Sequence, residues 1–292
     1  MSLTSRVSRC SVTGLIVGTI NFLFYFSMKR TLPYPHVWRE KKFPDVMEAP
    51  ANERESLMVQ RRADMQKRHQ EKQGICGKCS LLKTDQKNTC ICEILAQLRP
   101  CEAPHFDCAV YMHVKERFRS SNSGKLLEHL YDSPVFIDSD KESMEKLAKL
   151  IENNKERALV LFPDENAITI DQTREKDILQ NRPLIIVVDG TWGQASRLNK
   201  NIDPQIPRVK INPTTISSFE CRTQTQIDRV CTVEAVTMLL RELDEEQEAD
   251  RLITALGYLQ AAFNLQTFHV PERPENRMKK LLKIDNASTK LL

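Results

Sequence analysis

No G-x-G-x-x-G follows any of the apolar runs in this chain, so nothing in it supports a nicotinamide-dependent enzyme. A large charge imbalance is missing too. The net charge of +4 tolerates a nucleic-acid partner without demanding one. The nine cysteines are odd in number and unevenly spread, which argues against a secreted disulfide framework. Acidic residues are absent before Glu40. What remains is ordinary for a soluble globular protein: 292 residues, 28% charged and 40% hydrophobic. That length holds one large domain with appendages, or two modest ones.

Cys10–Met28 carries no charge and is flanked by Arg6 and Arg9 before and Lys29-Arg30 after. It barely meets the length of a bilayer span, and its Gly, Ser, Thr and Asn dilute it. Three readings stand: a signal-anchor, an organelle presequence, or an extension upstream of a start at Met28. A membrane partner or a mitochondrial address follows only from the first two; otherwise cytoplasm or nucleus is expected. Residues 1–30 form this segment and 31–74 a charged linker, whose Glu53–Gln73 part reads as a solvated helix or as plain linker.

Cys76 and Cys79 form a C-x-x-C pair, and Cys90 and Cys92 follow as a second close pair. Four thiolates at this spacing can close tetrahedrally on one Zn²⁺, and four protein ligands leave no position for water, so the metal would be structural. Lys78, Lys83 and Lys87 offset its charge. Residues 75–105 are the expected zinc knuckle.

From 106 to 270 the pattern is that of an α/β domain, with a largely parallel sheet and helices on both faces. Strands are predicted at Cys108–Val114, Val135–Ile137, Ala158–Phe162, Leu184–Val188 and Arg208–Ile211, with a helix over Lys141–Asn153. Leu184–Val188 is an unbroken aliphatic run, as befits a strand buried on both faces. It ends in Asp189; Gly190 permits a tight turn, and Thr191 can cap a helix over Gln194–Lys200. Cys108–Val114 runs into a basic Ser/Asn/Gly loop, and Ala158–Phe162 into Pro163-Asp-Glu165. The C-terminal ends of parallel strands can converge on one edge, where ligands bind in open α/β sheets. A pocket there would be lined by Arg119, Asn122, Glu165, Asp189, Thr191 and Trp192. Further on, Arg222 offers a cation. Thr232 is the expected N-cap of a helix to about Leu243, with Glu234 in its first turn. A longer helix over Glu245–Leu265 carries one apolar stripe, and 271–292 is a basic tail.

Several blocks, in this order, resemble the DTW-domain family: the paired cysteines, R-S-S-N-S-G-K-L-L at Arg119–Leu127, L-F-P-D-E-N-A at Leu161–Ala167, D-G-T-W-G-Q-A at Asp189–Ala195, and C-R-T-Q … V-C-T-V-E-A at Cys221–Ala235. The resemblance runs from about Ile75 to Phe268. It implies a fold like that of the SPOUT methyltransferases, with a knotted C-terminal region. It also implies a tRNA-uridine aminocarboxypropyltransferase, which moves the 3-amino-3-carboxypropyl arm of S-adenosylmethionine to uridine N3 and releases 5′-methylthioadenosine. On that reading tRNA and S-adenosylmethionine are the partners, with structural zinc. Asp189, Thr191 and Trp192 would form the catalytic group. Arg119, Asn122, Pro163, Glu165, Gln194, Arg222, Thr232 and Glu234 would bind the co-substrate.

The chemistry suits these residue types. Uridine N3 needs a general base, for which Asp189 is the candidate, and burial would raise its pKa. Trp192 can stack on a base or face the sulfonium, with Glu165 as an alternative partner for that charge. Arg119 or Arg222 with Asn122 would suit the arm's carboxylate. Two rivals remain open: an S-adenosylmethionine-dependent RNA methyltransferase, and a zinc-containing RNA-binding protein without catalysis.

Overall fold

The computed structural model describes residues 46, 48–175, 182–213, 216–222, 226 and 229–267. The segment 1–30, the start of the linker to residue 45 and the basic tail therefore lie outside the described residues. The chain divides into two units, Met1–Ala49 and Pro50–Leu292, and every element below belongs to the second.

Helix α1 (Arg54–Lys72) precedes the cysteine-bearing segment, which ends in the short α2 (Cys92–Gln97). The sheet strands are β1 (Asp107–Met112), β2 (Val135–Ile137), β3 (Ala158–Leu161), β4 (Leu184–Asp189) and β5 (Arg208–Val209). Between and after them come α3 (Lys125–Tyr131), α4 (Lys141–Glu152), α5 (Ile170–Glu175), α6 (Trp192–Lys200), α7 (Thr232–Glu242) and α8 (Glu246–Thr267). All five strands pair in parallel, in the order β2-β1-β4-β3-β5.

The aliphatic run of β4 explains its place at the centre. All six of its residues are buried, and the five aliphatic ones alternate between two cores. Ile185 and Val187 join Val110, Leu159, the cysteine segment, α3, α7 and α8 on one face. Leu184, Ile186 and Val188 join Tyr111 and Val160 against α4 and α6 on the other. Each such side chain stabilises by roughly 1.5–3 kcal/mol when fully buried. A run that needs cover on both faces therefore settles between two other strands. Among the described residues no helix is long and apolar enough to cross a membrane.

The topology fixes where a ligand can enter. β1 and β4 are neighbours, yet the chain leaves β1 for β2 on one side and leaves β4 for β5 on the other. Strands whose connections diverge leave a crevice at their carboxyl ends. Asp189 is the last residue of β4, sits opposite Met112 of β1, and its carbonyl accepts from His113 N–H at 2.9 Å. The knot implied by the resemblance turns on the path after β5. Residues 214–215, 223–225 and 227–228 of that path lie outside the described residues.

Candidate active site and metal centre

The carboxylate of Asp189 is buried, at 2% residue exposure. Its Oδ2 accepts from Asn122 Nδ2 at 2.5 Å and its Oδ1 from Thr232 Oγ1 at 2.6 Å. Asn122 is itself aimed by its Oδ1, which accepts from Lys125 N at 3.0 Å and so also satisfies an orphan donor at the start of α3. Gly124 leaves room for this arrangement: a Cβ there would lie 2.7 Å from Asp189 Cγ. Burial pushes the Asp189 carboxyl above the usual carboxylate range, and the bonds from Thr232 and Asn122 draw it only partly back.

Helix α6 starts beside it. Thr191 is the N-cap, and its backbone N–H donates to Gln194 Oε1 at 2.8 Å, one half of a capping box. Gly190 is required by the close first turn, since a Cβ there would meet Gln194 Cβ at 2.9 Å. The turn leaves Trp192 half-buried, tilted 6.4 Å from the Phe162 ring, with the Arg229 guanidinium 4.8 Å from its centroid. Thr232 is not the N-cap of α7. That position is Cys231, whose N–H donates to Glu234 Oε2 at 2.8 Å, so the Thr232 hydroxyl is released toward Asp189.

Two cavities open on this edge. One of about 360 Å³ is lined by Asp189 and Thr191, with Trp192, Ser123, Ser217, Phe219, Arg222 and Thr232 around them. The other, of about 540 Å³, has a largely aliphatic wall of Leu161, Phe162, Pro163, Val188, Val209 and Ile211. Gly190, Trp192 and Arg229, with Val230–Thr232, border both.

Of the residues singled out in the sequence, Asp189, Thr191, Trp192, Arg222 and Thr232 thus share one cavity, Asn122 supports it from behind, and Pro163 lines its neighbour. Gln194 is taken up by the cap. Arg119 is half-exposed and 3.5 Å from Glu116, and it lines neither cavity. Glu165 is exposed in the turn after β3, also outside both linings. Glu234 is buried and accepts from Ser217 Oγ, Ser218 N and Ser218 Oγ at 2.6–2.9 Å, which pins that loop beneath α7.

Sequence reasoning missed Glu116, Gly124 and Arg229. Glu116 is 0% exposed and pairs with Arg222, which also donates to Ser121 O, so the buried carboxylate fixes where this guanidinium points. The basic character of the loop around Glu116 masked it. Nothing local marks Gly124 or Arg229, since the partners of both come from distant parts of the chain.

The four cysteines gather as their spacing implies. Their sulfurs lie within 4.8 Å of one another, with Cys76–Cys92 and Cys79–Cys90 both at 3.6 Å. Tetrahedral thiolates at a Zn–S bond of about 2.3 Å stand about 3.8 Å apart, so the cluster fits that ion. A hydrogen bond from Cys92 draws the Cys79 thiol down to about 4, while burial pushes up Cys90, and the bond to Cys79 pushes up Cys92. The Cys79 thiolate holds back Cys90 and Cys92, an effect that a bound cation would offset. Knuckle and core are tied together: Leu82 N and Thr89 Oγ1 both donate to Gln266 Oε1 at the end of α8.

Fold and site together define a parallel α/β protein with a buried carboxylate at its topological switch point and a four-cysteine cluster, able to hold a metal ion, packed on one face. The chain belongs to the DTW-domain family, whose match covers residues 73–264 and spans both the cysteines and the cavities. That membership is consistent with an RNA-modifying enzyme. No solved structure matches the chain.

Proposed function

We propose that this protein is an S-adenosylmethionine-dependent tRNA-uridine aminocarboxypropyltransferase. The observation that carries the reading is the state of Asp189. It is a buried carboxylate facing a cavity and held by neutral donors, with its proton affinity raised. A general base works best when its pKa is moved toward the working pH.

The two cavities suit a two-part substrate. The aliphatic one matches a nucleoside of the co-substrate, and the polar one, where Asp189 stands, matches the acceptor base. Bound S-adenosylmethionine would supply the electrophilic aminocarboxypropyl carbon and leave as 5′-methylthioadenosine. Asp189 takes the N3 proton of the uridine as the N3–carbon bond forms. Asn122 and Thr232 keep its two oxygens fixed throughout, so little reorganisation accompanies the transfer. Trp192 offers an aromatic face to a sulfonium or a base, and Arg222 and Arg229 supply cations for the arm's carboxylate. A uridine within folded tRNA has to be exposed or flipped outward to reach Asp189.

The test is on the co-substrate side. Purified protein incubated with unmodified tRNA should release 5′-methylthioadenosine in step with tRNA labelling from the aminocarboxypropyl arm. Release of S-adenosylhomocysteine with labelling from the methyl group would establish the methyltransferase alternative. No turnover in the presence of tight tRNA binding would establish the non-catalytic one.

A further inference from the structure

We propose that Lys125 is a positioning residue that couples the four-cysteine cluster to the Asp189 carboxylate. The inference rests on the reading of Asp189 as the site's base, and its geometry stands independently. Lys125 is 5% exposed, rare for a lysine that bonds no carboxylate among the described residues. Its ammonium donates to Ser80 Oγ at 2.5 Å and to Arg119 O at 3.1 Å.

Ser80 follows Cys79 directly and has a left-handed backbone (φ 60°), with its N–H donating to Cys76 O at 2.9 Å. Its hydroxyl is therefore placed by the loop that carries two of the four sulfurs. The Arg119 carbonyl is the acceptor that closes the turn to Asn122, whose N–H reaches it at 3.1 Å. Asn122 then passes its amide to Asp189 Oδ2, while its Oδ1 is held by the backbone N–H of Lys125 itself. One residue thus grips both ends of the turn that aims Asn122, and its outer anchor lies beside a metal ligand. An ammonium so enclosed is costly unless its bonds are met, and burial draws it down to about 8. The knuckle loop and the Arg119–Asn122 turn cannot separate without stranding it.

The cluster therefore does more than hold its own end of the domain. Metal binding sets the Ser80 anchor, Lys125 transmits that position, and Asn122 orients the carboxylate. Loss of the metal should loosen the 116–124 loop even where the sheet stays intact.

Deuterium exchange on the full-length, zinc-loaded protein tests this. Zinc removal should speed exchange across 116–124 by roughly three- to tenfold, the change that losing one or two hydrogen bonds corresponds to. Lys125→Met with zinc bound should show the same rise, and zinc removal should add little to it. Ser80→Ala, which leaves all four cysteines in place, should raise exchange in that loop at full zinc content. Both variants should lower kcat with little change in KM for tRNA. A 116–124 loop indifferent to zinc in the unaltered protein, or effects of zinc loss and Lys125→Met that add in full, would overturn the coupling. If the exchange pattern holds but no transfer to tRNA occurs, the functional reading fails and the coupling stands. An active enzyme with uncoupled exchange does the reverse: the coupling fails and the functional reading stands.

Discussion

The two ends of the sheet carry the same kinds of side chain arranged to opposite effect. At the amino end Asp107, on β1, bonds Arg157 Nη1 at 2.6 Å and Arg182 Nε at 2.9 Å, with its side chain 35% exposed beside a cavity of about 460 Å³. At the carboxyl end Asp189, on β4, has no cation on either oxygen among the described residues and bonds an amide and a hydroxyl instead. Two guanidiniums neutralise the first carboxylate, and water reaches it. The second is buried with no cation on its oxygens, and its affinity for a proton rises. The nearby arginine at that end, Arg222, is held by Glu116 rather than by Asp189. The presence of an acid by a cavity is thus a weak guide to chemistry. What its oxygens bond to separates a fastening from a base.

Replacement of Asp189 probes that contrast most strongly. Asp189→Asn should cut transfer by on the order of 10²–10⁴-fold, the usual contribution of a general base, with the melting temperature and zinc content retained. Next in size is Gly124→Ala. Its Cβ would press on the Asp189 carboxyl group, and a displacement of about 1 Å costs on the order of 10²-fold in rate; steady-state kinetics with a thermal melt separates this from unfolding.

A smaller effect is expected from pH. Activity should decline as pH falls through the raised pKa of Asp189, so the acid limb of the kcat profile should lie above the ordinary aspartate value of about 3.9. An acid limb at that ordinary value would contradict the raised proton affinity of Asp189. Smallest of all is Asp107→Asn, which removes two partly exposed ion pairs. It should leave transfer unchanged and shift stability by about 1 kcal/mol or less in a denaturant titration.

These positions also mark what the sequence made legible. β2 matches its expected bounds, and the other strands differ by a residue or two at their ends, because buried aliphatic runs leave few alternatives. The cysteine cluster was readable for the same reason: spacing and chemistry are local. Asp189, Thr191 and Trp192 were legible because one turn carries them.

Long-range partners were hidden. Glu116 and Arg222 are 106 residues apart; Asn122 and Asp189, 67 apart, were expected at one pocket but not as a hydrogen-bonded pair. Loop residues gain such roles only through the order in which strands assemble. Thr232 shows the same limit over a shorter span. The sequence favoured a helix cap there, and a helix whose cap is Cys231 frees the hydroxyl for the site. Arg119 and Glu165 have the right chemistry in the right blocks, yet neither side chain lines the cavities.

The most direct test of Asp189 as the base of an aminocarboxypropyl transfer is the nucleoside formed. Unmodified tRNA incubated with S-adenosylmethionine and either the unaltered protein or Asp189→Asn, then digested and analysed by mass spectrometry, reports substrate, group and base together. The expected result is a uridine heavier by one aminocarboxypropyl group with the unaltered protein and on the order of 10²–10⁴-fold less of it with the variant. A methylated nucleoside, or equal product from Asp189→Asn, would contradict it.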